Sequence, residues 1–176
     1  HTLFPYTTLF RSVTSANRFK MASAIADFIK LHNLDGVDID WEYPSAPDLP
    51  DFDPGKKEDG ANYLAFLVVL KNLLPGKSVA IAAPASYWYL KGFPIKEISK
   101  VVDYIIYMTY DLHGQWDANN ENAVEGCANG NCLRSQVNLT ETMSSMVMIT
   151  KAGVPSNKVV VRSEEHTSEL QSPVLS

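Results

Sequence analysis

Apolar residues along this chain recur with two different periods. In Ser15 to His32, Gly60 to Leu74 and Leu139 to Ala152 they stand three and four positions apart, which predicts amphipathic helices. Asp59 occupies the position where the N-cap of the second of these helices is expected. A shorter helix is predicted from Ile95 to Lys100, directly after a proline.

The segments between these helices predict strands. Gly36 to Glu42 alternates apolar and polar residues with period two, and Tyr104 to Tyr110 is an almost continuous apolar run, as in parallel strands covered on both faces. Ser78 to Ala83 and Lys158 to Val161 are two further short apolar runs. Helices and strands therefore alternate along the chain, which predicts βαβ units and a parallel sheet.

This alternation is compatible with two α/β architectures, an open doubly wound sheet and a closed (β/α)8 barrel. No strand is followed by a glycine-rich phosphate loop, which counts against the nucleotide-binding form of the open sheet. Four predicted strands are half of the eight that close a barrel. We therefore expect about half of a (β/α)8 barrel.

Charge and hydropathy exclude two kinds of partner. The 176 residues carry a formal net charge of −5 without a basic stretch, so nucleic acid is not expected to bind. No apolar run approaches the roughly 20 residues that a transmembrane helix needs, so no membrane association is expected. A neutral polysaccharide would require no net charge of either sign.

The two ends of the chain differ from its centre. Residues 2–12 read TLFPYTTLFRS and residues 162–172 read RSEEHTSELQS, and both resemble in-frame translations of adapter oligonucleotides used in short-read DNA sequencing. The strand-like run stops abruptly at Arg162, and the tail has no hydrophobic period. We expect 1–12 and 162–176 to be adapter-like ends around a partial domain at 13–161; the alternative is a natural polar tail.

Two local features favour a secreted, extracellular protein. Cys127 and Cys132 lie in the segment CANGNC, where a disulfide would pin a loop rich in glycine and asparagine; the alternative is two reduced loop cysteines. Asn138 begins the triplet NLT, which is an acceptor sequence for N-glycosylation. No His or further Cys lies near the cysteine pair, so we expect no metal there.

Three carboxylates stand at alternate positions of the first predicted strand. Asp38, Asp40 and Glu42 therefore share one face, while the intervening apolar residues share the other. Neighbouring carboxylates push each other's pKa values apart, and a stable fold gains nothing from collecting them on an inward face. A calcium loop is the alternative, but its motif needs a glycine turn and flexible backbone rather than a strand. The pattern indicates a catalytic site.

The residues around these acids form a recognisable motif. The segment DGVDIDWEYP, with Asp35, Gly36, Asp38, Asp40 and Glu42, resembles the signature of glycoside hydrolase family 18. YMTYDLHG at the end of a later strand and the weaker segment APA after the intervening strand match in family order. The chain is therefore similar to chitinases of this family, and most similar to the fungal subgroup that resembles killer toxins.

The resemblance implies a particular fold and chemistry. The family fold is a (β/α)8 barrel, in which the four predicted strands would be about strands four to seven. Its active site lies at the carboxyl ends of the strands. The family is an exception among glycosidases, because the acetamido oxygen of the substrate's own N-acetylglucosamine attacks the anomeric carbon. The implied activity is an endo-acting, retaining chitinase with chitin or chito-oligosaccharide as substrate, without cofactor or metal, acting as a monomer.

The resemblance also implies a role for each site residue. Glu42 would protonate the leaving oxygen, Asp40 would hydrogen-bond the acetamido N–H, Asp38 would hold a shared proton, and Tyr110 would donate to the acetamido oxygen. Asp35 and Gly36 would support the strand start. Sugar rings present apolar faces, so loop aromatics would serve as platforms; ordinary packing is the alternative for each of them. The expected substrate-binding residues are Met108, Asp111, Ala83, Trp88, Tyr87 and Trp116.

Two rival functions and one further expectation follow. A carbohydrate-binding chitinase-like protein without turnover would typically replace the acid, and Glu42 is present. An endo-β-N-acetylglucosaminidase acting on N-glycans could share the same signature. We expect residues 1–176 alone to be inactive, since water would screen the exposed carboxylates and remove the raised pKa of Glu42.

Overall fold

The computed structural model describes residues 14–48, 54–119 and 134–163. Cys127, Cys132, the end at 1–12 and most of the end at 162–176 lie outside the described residues. Helices and strands alternate within them as the sequence predicts. The elements are α1 (Arg18–Leu31), β1 (Gly36–Ile39), α2 (Asp59–Leu73), β2 (Ser78–Pro84), α3 (Tyr87–Leu90), α4 (Ile95–Val101), β3 (Tyr104–Met108), α5 (Leu139–Lys151) and β4 (Val159–Arg162), with single 3-10 turns at Gln115–Asp117 and Ser156–Lys158.

The four strands form one parallel sheet in the order β1-β2-β3-β4. Each strand pairs with the next one in the chain, and each crossover carries helical structure, as in successive βαβ units. The register aligns Asp38 with Ala80 and Tyr104 across the first three strands. It likewise aligns Met108 with Pro84 and Arg162. Paired residues of a parallel sheet face the same side, so these rows define its inner face.

The hydrophobic core lies between the other face of the sheet and the helices. Alternate strand residues such as Ile81 and Ile105 are fully buried there. From α2, a stripe at helical spacing that includes Tyr63, Phe66 and Leu70 packs against them. Burying the apolar side of each strand against helices leaves the inner face and the carboxyl ends of the strands to carry polar groups.

Two strands end earlier than their sequence pattern predicts. β1 ends at Ile39 rather than at Glu42, and β3 ends at Met108 rather than at Tyr110. The carbonyl oxygen of Ile39, the last residue of β1 that pairs with β2, accepts a hydrogen bond from the buried hydroxyl of Tyr63 at 3.1 Å, which ties the end of β1 to α2. The predicted site residues therefore lie partly beyond the ladder, at the carboxyl edge of the sheet.

The predicted N-cap at Asp59 is wrong. Asp59 is the first residue of α2, and its carboxylate accepts the backbone N–H groups of Lys56 and Ser45 at 2.7 and 3.3 Å. The loop that precedes α2 folds back over its beginning, which supplies donors from outside the helix. Asp59 thereby fixes the segment that follows the carboxylates rather than capping the helix.

Candidate active site

Asp38, Asp40 and Glu42 lie on the same side of the chain, as their alternation predicts. All three are exposed on the inner face, whereas the intervening Ile39 and Trp41 are 6% and 1% exposed in the core. The alternation continues past the end of β1, so the extended backbone carries Asp40 and Glu42 to the carboxyl edge. Strand geometry alone therefore collects three acids in one place.

The environment raises the pKa of two of these acids. Partial burial and the negative charge of Asp40 raise the pKa of Asp38 to about 6, and the positive charge of Arg162 opposes this shift. Partial burial and Asp40 also raise the pKa of Glu42, and the protonated Glu42 carboxyl donates a hydrogen bond to Asp40. The expectation that the raised pKa of Glu42 would disappear in this four-stranded segment is wrong. The acids crowd one another although water reaches them.

Tyr43 is a site residue that the sequence did not reveal. Its hydroxyl donates a hydrogen bond to the Glu42 carboxyl, which opposes the upward shift of the pKa of Glu42. Burial and the charge of Glu42 in turn raise the pKa of Tyr43. The ring of Tyr43 stacks on that of Tyr89 from α3, with centroids 4.5 Å apart and planes 18° apart. Its position directly after the acid is the only signal that the sequence offers.

The end of β3 supplies the second half of the site. Met108 is 5% exposed and Tyr110 is half-buried, whereas the following Asp111 is exposed with a positive φ of 52°. Burial is the largest cause of the raised pKa of Tyr110, and the positive charge of Arg162 opposes this shift. The negative charges of Glu42, Asp40 and Asp111 raise the pKa further. Asp111 in turn contributes to the raised pKa of Glu42. The ends of β1 and β3 therefore form one electrostatic unit.

The predicted lining residue Ala83 is not brought to this site. It is fully buried, and its side chain belongs to the core beneath the helices. The neighbouring Ala85 donates its backbone N–H to the Met108 carbonyl at 3.3 Å. The APA segment thus supports the end of β3 through its backbone.

The three predicted aromatic platforms lie at the surface, with Tyr87, Trp88 and Trp116 being 68%, 44% and 60% exposed. Trp88 is held in place on two sides. Its indole N–H donates to the Asp48 carboxylate, at 2.9 and 3.1 Å from the two oxygens, and the Lys91 ammonium lies 3.4 Å from its ring centroid. One face of this indole is therefore covered by a cation and is closed to a sugar ring.

Asp35, Gly36 and Asn138 lie away from the carboxylate row, at a strand start and at a helix start. The Asp35 carbonyl accepts the Ser78 N–H at 3.0 Å, and a Cβ on Gly36 would clash with the Ser78 backbone, so both hold β1 against β2. Asn138 is exposed at the N-cap of α5, where its side-chain oxygen accepts the Glu141 N–H at 3.2 Å.

Two observations concern what the described residues lack. Within 14–48, 54–119 and 134–163, no group of three or more His, Cys, Asp or Glu side chains could hold a metal ion. In the same part of the chain, no helix has both the length and the apolar character to cross a membrane.

Comparison with known families identifies the chain. Residues 5–165 match the model of the glycosyl hydrolases family 18. The chain belongs to this family. The carboxylate row at the end of β1 and the Tyr110 segment after β3 lie at carboxyl ends of one parallel sheet, with β2 between them.

Relatives of this family 18 chain include fungal chitinases. It is 70% identical to the secreted chitinase LysM12 of Penicillium expansum over 154 residues, which are 87% of this chain and 10% of the relative. It is 44% identical over 155 residues to the killer toxin subunits alpha/beta of Kluyveromyces lactis, with 86% of this chain and 13% of the relative covered. The chain spans about a tenth of the length of such curated relatives.

Solved structures give the same fold. Chitinase ChiA74 from Bacillus thuringiensis superimposes with a TM-score of 0.71 at 27% identity, covering 89% of this chain and 26% of that chain. Together with the parallel sheet and its covering helices, this similarity confirms the expectation of a partial (β/α)8 barrel.

Proposed function

We propose that this segment carries the acid and the acetamido-binding groups of an endo-acting, retaining chitinase. The observation that carries the proposal is the row of Asp38, Asp40 and Glu42 on one face, with the pKa of Glu42 raised and Tyr110 held beside it. An acid that is protonated near neutral pH can donate to a leaving oxygen. Similarity to a secreted fungal chitinase supports both the substrate and secretion.

The proposed reaction uses the substrate's acetamido group as the nucleophile. Glu42 protonates the glycosidic oxygen while the acetamido carbonyl oxygen attacks the anomeric carbon, which yields an oxazolinium ion. Asp40 accepts the acetamido N–H and stabilises the positive charge, and the Tyr110 hydroxyl donates to the acetamido oxygen. Deprotonated Glu42 then takes a proton from water, which opens the ring on the face that retains configuration. Met108 and Asp111 line the same sugar site.

The proposed activity belongs to the longer protein that carries this segment, called the parent protein here. Its catalysis is tested by incubating the protein with chito-oligosaccharides and, separately, with a glycoprotein that bears N-glycans. Release of chitobiose with the β-anomer formed first supports the proposal. Cleavage confined to the N-glycan core would establish the endo-β-N-acetylglucosaminidase instead, and binding without any cleavage would establish a chitinase-like lectin.

A further inference from the structure

A buried ionisable cluster lies beside the proposed site and takes no part in the proposed reaction. The side chain of His113 is 5% exposed, and its Nε2 lies 2.8 and 2.9 Å from the two carboxylate oxygens of Glu141. Its Nδ1 lies 3.6 Å from a carboxylate oxygen of Asp117, which is itself buried. One imidazole therefore lies between two acids that come from different elements.

The cluster joins the loop after β3 to the beginning of α5. Glu141 lies in the first turn of α5, whereas His113 and Asp117 belong to the loop. Gln136 adds two hydrogen bonds to the same loop: its side-chain oxygen accepts the Leu112 N–H at 2.7 Å, and its amide donates to the His113 carbonyl at 3.0 Å. Residues 112–117 are thereby attached to the segment that leads into α5.

The attached loop begins directly after Tyr110 and Asp111. Asp111 adopts a left-handed backbone conformation, so this turn is one that few non-glycine residues occupy without support. The Asp117 carboxylate also accepts the Gly114 N–H at 3.1 Å, which closes the loop on itself. Burying charged groups is a poor source of stability compared with apolar packing, whereas it fixes geometry. The cluster is therefore better suited to defining the loop than to stabilising the fold.

We propose that His113, through its bond to Glu141, is a positioning residue that fixes Tyr110 and Asp111 relative to the acetamido group of the substrate. The inference rests on the proposed function and extends it to two residues that do not touch the substrate. Misplacement of catalytic groups by about 1 Å can cost on the order of 100-fold in rate. Loosening this bond should therefore reduce turnover more than ground-state binding.

The test compares five variants of the parent protein, which are H113Q, H113N, E141A, the double variant H113N/E141A and K71M. H113Q keeps an N–H donor near the position of Nε2, whereas H113N and E141A remove the bond between the loop and α5. K71M breaks the Lys71–Asp103 ion pair, 2.6 Å long, which lies near the amino ends of the strands, and serves as a destabilised control. The measurements are kcat and KM on a fluorogenic chitobioside, affinity for a thiazoline mimic of the oxazolinium ion, and thermal melting.

H113N and E141A should each lower kcat and thiazoline affinity by about 10- to 100-fold with little change in KM. The double variant should lose no more than either single variant, because both remove one contact. H113Q should recover most of the rate, and K71M should lower the melting temperature alone. If H113N, like K71M, turned over substrate at the wild-type rate and only lowered the melting temperature, the inference would be overturned and the proposed function would stand. Absence of wild-type turnover would refute the proposed function, while the thiazoline affinities would still test the cluster.

Discussion

The hydrogen bond from Tyr43 to Glu42 leads to a prediction about how the catalytic rate depends on pH. The Tyr43 hydroxyl donates to the carboxylate and so stabilises its charged form, against the burial and the Asp40 charge that favour the protonated form. Tyr43→Phe removes this donor and keeps the ring that stacks on Tyr89. The carboxylate then loses stabilisation, so the pKa of Glu42 rises further. The protonated acid would persist to higher pH, and the alkaline limb of the rate profile would move with it.

The size of this shift follows from the hydrogen bond and its exposure. A hydrogen bond to a charged group contributes about 1.5 to 3 kcal/mol in a buried setting. Glu42 is exposed, so water replaces part of the lost hydrogen bond, and the carboxylate should lose about 1 kcal/mol of stabilisation. One pKa unit corresponds to about 1.4 kcal/mol, which gives a shift of about half to one unit.

The assay is kcat/KM on a fluorogenic chitobioside as a function of pH, in the parent protein. Tyr104→Phe is the matched control, because Tyr104 begins β3 at the amino end of the sheet. The control should leave the profile unchanged. If the alkaline limb of Tyr43→Phe lies at the same pH as that of wild type, or at lower pH, the Tyr43 hydroxyl does not lower the pKa of Glu42.

Two further predictions concern the remaining acids and Tyr110. Asp40→Asn and Tyr110→Phe should each weaken binding of a thiazoline inhibitor by at least about tenfold, since each loses a hydrogen bond to the acetamido-derived ring; inhibition constants equal to wild type would show that these roles are wrong. Because the pKa of Asp38 is raised to about 6 in the folded state, the folded protein holds a proton that the unfolded chain has released, and stability falls as pH rises from about 4 to 6. Asp38→Asn should remove this fall, so at neutral pH its free energy of unfolding should exceed that of wild type by about 1 kcal/mol, after allowing for solvent screening of an exposed carboxyl. The same dependence of melting temperature on pH in variant and wild type across that range would contradict this prediction.

Much of the fold follows from sequence because local periodicity and tertiary packing agree here. The period-two pattern around Ile39 and Trp41 predicted which residues face the core, and both are buried. The same pattern extended the strand to Glu42, which is wrong, because where a ladder ends depends on the neighbouring strand, and β2 pairs with β1 only as far as Ile39. Periodicity describes one segment at a time and contains no information about its neighbours.

The site was predictable to a similar extent. Alternation alone placed three acids on one face, and the family motif added Tyr110. Tyr43 and His113 were not predicted, since their importance comes from a stacking partner on α3 and an acid on α5. Both contacts join residues more than 25 positions apart, and no spacing rule applies at that distance. The burial of Ala83 was missed for the same reason: an alanine at a strand end carries no sign of the face it occupies.

The most direct test of the central claim is Glu42→Gln in the parent protein. This change removes the titratable proton while keeping the size of the side chain, and the matched variant Asp35→Asn alters an acid outside the carboxylate row. General acid catalysis contributes on the order of 10² to 10⁴ in rate, so hydrolysis of chitin oligomers should fall at least that far while their binding affinity stays within about threefold of wild type. Hydrolysis by Glu42→Gln at a rate close to wild type would contradict the assignment of Glu42 as the acid.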